Sequence, residues 1–382
     1  MRIARKVFPT IFALIGMLLC SEATKAAQQH VFFIPPGGGL NEVTGGNGSW
    51  QSPTTFFTGV GFVTPQNSTV ASFTAGGVLY VAFFCNSAVC AMYSSDNVNW
   101  TLTNISGASN APPPDVNSGL TGFADGAGTP RIFYVAQPNG QGFRAIMEAY
   151  YSAGNWHFDS GASIGPSAAA GTPLVGYLDP VNQFLGVWYI ATDGHIHWTI
   201  QGSGGGGWAT YDVTAITGAP PPVSGSSLMG YVWGGGAVAA NDPLLFIAGD
   251  QHIHQVWWNH PYGWNTNDVT AGCGCTLPEF GSAMTGYWWN GNAITDYIGI
   301  DQHVHQVWWT GSQFKNNDWT AGAGGQPFTG SPLTGNSSAG VFYLDTSGQL
   351  REYWWDGSHY RNPELTTFSG TPSGKGLAIA TF

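Results

Sequence analysis

Two repeated patterns in this chain have residue types and spacing that could do chemistry. Asp250-Gln-His-Ile-His-Gln-Val-Trp-Trp258 recurs as Asp301-Gln-His-Val-His-Gln-Val-Trp-Trp309, with a third copy in Asp193-Gly-His-Ile-His197 and a degenerate fourth in Ser347-Gly-Gln-Leu-Arg-Glu-Tyr-Trp-Trp355. On a strand, imidazoles at i and i+2 point the same way and could hold zinc with a third ligand. The pair becomes Gln349 and Arg351 in the fourth copy, however, and no repeated acid or third His adjoins it. The expectation is structural histidine, hydrogen-bonded and stacked on Trp between repeats, with no metal and no cofactor.

The second pattern lies on the opposite face of the same strand. Aligned on Gln255, the repeats read Glu42, Ala91, Glu148, Trp198, Gln255, Gln306 and Glu352; two residues on stand Thr44, Tyr93, Tyr150, Ile200, Trp257, Trp308 and Trp354. A long side-chain acceptor beside an aromatic plate suits a sugar, whose hydroxyls need acceptors and whose C–H face stacks on rings. The competing reading is aromatic packing, with Glu or Gln satisfying a backbone N–H.

The elements that must carry these residues follow from the repeat. An aromatic residue closes each unit, giving Trp50, Trp100, Trp156, Trp208, Trp264, Phe314 and Tyr360, spaced 46 to 56 residues apart. Ahead of the His-x-His block come a Leu-x-Gly-aromatic segment (Leu120–Phe123, Leu174–Tyr177, Leu228–Tyr231) and a β-rich run such as Ile132–Val135 or Leu244–Ile247. With the strand that carries the closing aromatic and Asp-Val-Thr, each unit reads as four strands, the arithmetic of a propeller blade. Val31–Trp50 supplies three strands and lacks the first, for which Leu377-Ala-Ile-Ala380 is the candidate. The expected fold is all-β: a seven-bladed β-propeller of four-stranded blades, the ring closed by pairing the N- and C-terminal strands, which removes open sheet edges. Proline-rich joints at 110–114 and 218–222 then join blades of a single domain, residues 27–382.

Composition agrees with that fold. Only 8% of the 382 residues are charged, against 56 Gly and 17 Trp, which excludes a helical bundle with its Lys- and Glu-rich faces. Residues 1–26 read as a signal peptide: Arg2, Arg5 and Lys6 precede an apolar stretch too short to span a bilayer. Beyond it remain 6 basic and 20 acidic side chains, a balance that disfavours nucleic acid and anionic membranes as partners. The expected location is secreted, periplasmic or extracellular, without membrane insertion. In that compartment Cys85 and Cys90 are expected to form a disulfide across a tight hairpin. Cys273 and Cys275 are left open, since a ring across one intervening residue is strained.

At the residue level, Leu350-Arg-Glu-Tyr-Trp-Trp-Asp-Gly357 resembles the Ile-x-Glu-x-x-Trp-Asp-Gly strand of the fucose-binding β-propeller lectins of fungi and bacteria. That resemblance implies an Arg on the preceding strand that joins the Glu in holding the sugar, and Arg131 matches the position opposite Glu148. The reading is therefore a non-catalytic carbohydrate-binding protein with several weak sites at blade boundaries, taking glycans or glycoconjugates. Its sites are Arg131, Glu148 and Tyr150; Gln255 and Trp257; Gln306 and Trp308; and Glu352 and Trp354. The alternatives are a propeller hydrolase or lyase with axial carboxylates, or a protein-interaction scaffold.

Overall fold

The computed structural model describes residues 28–35, 39–46, 49–51, 53–56, 68–107, 111–179, 182–202, 206–231, 243–259, 263–335, 340–366 and, for backbone, 377–381. The expected signal peptide lies outside them. Seven antiparallel sheets ring a common axis. Blade 1 is built on Gln29–Phe33, Leu40–Gly46 and Ser49–Trp50, and Leu377–Thr381 pairs antiparallel with Gln29–Phe33 as its fourth strand. Blades 2 to 7 occupy residues 70–104, 120–159, 174–212, 228–268, 284–318 and 333–361, each running in order from innermost to outermost strand. The expected sevenfold, four-stranded architecture is the one observed.

Burial explains why these segments are strands. The second strands, such as Val78–Cys85, Leu244–Ile247 and Gly340–Leu344, are β-branched and aromatic and almost wholly buried, because a neighbouring blade covers each of their faces. The core is accordingly divided among the blade interfaces. Leu120, Ile132 and Tyr134 of blade 3 pack on Ala82 and Phe84 of blade 2, and Phe342 and Leu344 of the last blade pack on Val31 and Phe33 of the first.

Near the axis the inner strands approach so closely that side chains must be omitted. A Cβ on Gly176 would lie 2.6 Å from the Phe123 ring and 2.9 Å from Thr121 Cγ2 of the preceding blade. The Gly176 N–H instead donates to Thr121 Oγ1 at 3.2 Å, and Gly335 repeats the bond to Thr285 at 3.0 Å. This is the physical content of the Leu-x-Gly motif.

One local expectation is revised, one is met and one open point is decided. Asp-Val-Thr does not extend the outer strand: Asp212, Asp268 and Asp318 each end one and N-cap a one-turn helix, Val213–Thr217, Val269–Cys273 and Trp319–Ala323. The carboxylate accepts from the N–H three residues on, as Asp residues do at helix starts. Both cysteine pairs are bridged, Cys85–Cys90 across the Asn86-Ser87 hairpin and Cys273–Cys275 at a helix end.

Candidate functional site

The strand that carries the repeated acceptor is third from the axis, and alternation turns Glu148, Gln255, Gln306 and Glu352 toward the following blade. The aromatic that closes each unit comes back over that face. Trp50 of blade 1 meets Phe342 of blade 7 edge-on at 5.4 Å, Trp100 meets Phe32 at 5.5 Å, Trp208 meets Phe133 at 5.9 Å, and Trp264 meets Trp198 at 5.3 Å. Phe342, Phe32, Phe133 and Trp188 are the residues directly across from the acceptor position in their own blades. The closing aromatics therefore meet the residues around the preceding blade's acceptor position at the boundary between blades.

Blade 3 assembles its three expected residues. Arg131 pairs across the sheet with Tyr150 and reaches both the Glu148 carboxylate and Asp125, whose Oδ2 accepts from the guanidinium Nε at 3.0 Å. Its guanidinium carbon stands 5.4 Å from the centre of the Tyr150 ring, which in turn stacks on His157. Glu148 is 1% exposed. Burial pushes its carboxyl above the usual range, opposed by Arg131, while hydrogen bonds from Thr129 and Arg131 hold Asp125 below it against its own desolvation.

Blade 1 contains a counterpart that the sequence reading passed over. His30 occupies the register of Arg131, and its Nδ1 lies 2.5 Å from Glu42 Oε1 in a fully buried pair. The signal was present, since His30-Val-Phe-Phe-Ile34 parallels Arg131-Ile-Phe-Tyr-Val135. In blade 7 the same register holds Gly340, and Glu352 takes its donor from the next blade, with Trp50 Nε1 2.7 Å from Oε2. Trp354 is half-buried opposite Gly340 and Arg361.

The boundary of blades 5 and 6 is open. A cavity of about 320 Å³ is lined by Gln255 and Trp257 from blade 5 with Asn267 beside them, by Tyr231, and by Trp309 and Phe314 from blade 6. Gln255 and Trp257 were expected together, and Trp308, expected beside Gln306, lines the same cavity. The others come from different strands and, for Trp309 and Phe314, from the next blade. A second cavity, about 380 Å³, lies between blades 2 and 3 against Tyr80, Tyr93, Tyr151, Asn155 and Trp156, with Ala91 at the acceptor position.

Gln306 is placed otherwise. Its Nε2 donates to the Tyr287 hydroxyl at 3.3 Å, beside buried Asp296, which accepts from Trp319 Nε1 at 2.9 Å. Trp319 and Tyr360 fill this boundary, so Gln306 borders a filled interface, while Trp308 packs on the same cluster and also lines the cavity between blades 5 and 6. Burial pushes Asp296 up to about 7.

The histidine pairs have two acidic neighbours, one that opens the repeat itself and one that the linear sequence concealed. Asp250 and Asp268 flank His252 and His254, and Asp301 and Asp318 flank His303 and His305. His254, His305 and His197 stack on Phe246, Tyr297 and Tyr189 of their own blades, not on Trp between blades.

No family model and no curated protein matches the chain. Solved structures do resemble it in fold. The lectin of Aleuria aurantia in complex with α-methyl-L-fucoside is 17% identical, with a TM-score of 0.52 over 77% of this chain and 91% of that one. SapL1 lectin in complex with α-methyl fucoside gives 0.55 at 14% identity, covering 79% and 97%. AofleA from Arthrobotrys oligospora gives 0.54 at 14%, covering 84% and 92%. The fold is thus that of fucose-binding propeller lectins, as the sequence resemblance implied. The Aleuria lectin is described as six-bladed, whereas this chain forms seven.

Proposed function

We propose that the protein is an exported, non-catalytic lectin that binds glycans at several weak sites between blades. The observation that carries this reading is the cavity between blades 5 and 6. There a side-chain amide pair, Gln255 and Asn267, faces an aromatic enclosure of Tyr231, Trp257, Trp309 and Phe314. Two amides offer donors and acceptors for hydroxyls, the rings offer surfaces for C–H faces, and the volume suits a monosaccharide. Arg131, Glu148 and Tyr150 form a charged second site, and the fucoside complexes of similarly folded lectins support a deoxysugar or related hexose as ligand. Weak sites spaced around a ring would gain avidity on a multivalent surface.

Two disulfides and the basic-then-apolar N-terminus support export, and among the described residues no helix is long and apolar enough to cross a membrane. An axial hydrolase is disfavoured because the described lining of the axial opening, including Ser118, Leu174, Ser226, Leu228, Met284 and Leu333, holds no Asp or Glu. Glycan-array binding of the folded chain tests the proposal. Binding is expected for the wild type and reduced at least about tenfold in Trp257→Ala, the loss expected from removing a central aromatic anchor. A silent wild type, or unchanged binding in a Trp257→Ala, Trp308→Ala and Trp354→Ala triple variant, would sink it.

A further inference from the structure

The corner joining the second and third strands of blades 4, 5 and 6 carries a constellation independent of the boundary sites. In blade 5, His254 Nε2 lies 2.9 Å from Asp250 Oδ2 and His252 Nδ1 lies 2.5 Å from Asp268 Oδ2. Blade 6 repeats this, with His305 3.0 Å from Asp301 and His303 2.8 Å from Asp318. In each of these blades the four side chains offer two imidazole nitrogens and two carboxylate oxygens, all within 4.8 Å of one another. Blade 4 brings Asp193, His197 and Asp212 equally close, with His195 2.8 Å from Asp212.

Blade 7 shows what this corner requires for folding alone. There Arg351 stands in the register of His254 and His305, and Glu364 in that of Asp268 and Asp318. The guanidinium binds Asp345 and lies 3.7 Å from Glu364, so one permanent cation sits between two carboxylates. Blades 5 and 6 also bring two carboxylates to the corner, the first from a position two residues further along than Asp345, but replace the cation with two nitrogen ligands. Neutral imidazoles leave that charge unbalanced; a divalent ion would balance it and take all four donors. His₂Asp₂ suits a borderline transition ion rather than calcium or magnesium, which prefer all-oxygen shells. In each blade one His is nearly buried and therefore fixed, while the other three groups are partly exposed, leaving a path from solvent.

We propose that the corners of blades 5 and 6, and the three-ligand corner of blade 4, are binding sites for a divalent transition ion of the Zn²⁺ type. On binding, each neutral imidazole carries its proton on the ring nitrogen away from the metal, so no proton need be lost. This reverses the expectation of purely structural histidine, which rested on there being no acid beside the pairs.

Zn²⁺ alone, titrated into the folded chain by calorimetry with stoichiometry counted by native mass spectrometry, tests it. Two to three ions per chain are expected. Grafting the blade 7 corner as a His252→Gln/His254→Arg variant should lower the count by one. Asp268→Asn, which preserves the helix cap but removes a ligand charge, should weaken one site at least tenfold and serves if the double variant does not fold. No Zn²⁺ uptake by the wild type, or an unchanged count and affinity in the folded variants, would overturn the proposal.

Discussion

Trp50 and Glu352, 302 residues apart in the chain, share a 2.7 Å hydrogen bond across the interface where the last blade meets the first. The indole of one blade both seals the boundary and satisfies a carboxylate that is 2% exposed. Elsewhere the same buried carboxylate is satisfied by Arg131 or by His30, so one architectural position is served by three different donors.

Replacing Trp50 with Phe keeps most of the ring but removes its N–H. The expected cost is about 1–3 kcal/mol, the penalty for a buried acceptor that loses a partner, read as a lower denaturant midpoint with unchanged slope. An equal midpoint for wild type and variant would show that the bond is not needed there.

Arg131→Met strands Glu148 and Asp125 beside each other without their shared cation. The loss should be on the order of 3 kcal/mol near neutral pH, as for a broken buried pair. Burial already raises the Glu148 carboxyl, and removing Arg131 raises it further. The variant should therefore recover stability toward acid, where Glu148 takes up a proton, and the Arg131→Met/Glu148→Gln double variant should recover it at neutral pH. Melting curves at two pH values distinguish this from simple loss of packing.

Asp296 gives a pH dependence of its own. Its native carboxyl holds a proton up to about 7 because it is fully buried. The unfolded carboxyl releases its proton near about 4, so the native state binds more protons between those values and stability falls as the pH rises through the window. The full effect is about 4 kcal/mol by linkage. Asp296→Asn retains an acceptor for Trp319 and should flatten that slope, making the variant the more stable protein at pH 8. Parallel stability–pH curves would contradict it.

Gly176→Ala forces a Cβ to within 2.6 Å of Phe123, which is itself stacked on Phe133 and cannot swing away. Overpacking of this kind costs about 1–3 kcal/mol. The same substitution at Gly207, with nothing within 4 Å of the added Cβ, should be far milder in the same denaturation experiment.

The sequence by itself determined the number of blades, the order of their strands and which third-strand residues share a face. These follow from local rules, a period-two strand and a repeat near fifty residues, which need no knowledge of how blades sit together. It also fixed the acceptor column, including Glu148, Gln255 and Glu352, and the match of Arg131 to Glu148 within one sheet. What only the tertiary structure decided is which side chains meet across strands and across blade boundaries. The closing aromatics, read as structural, return over the acceptor of the preceding blade, because the ring sets each outer strand against the next sheet. Trp309, Phe314 and Asn267 thereby join Gln255 and Trp257, whereas Gln306 is closed in beneath Trp319. The second acid beside each histidine pair was hidden for the same reason. Asp268 and Asp318 lie 14 and 13 residues beyond His254 and His305, yet antiparallel pairing puts them directly opposite.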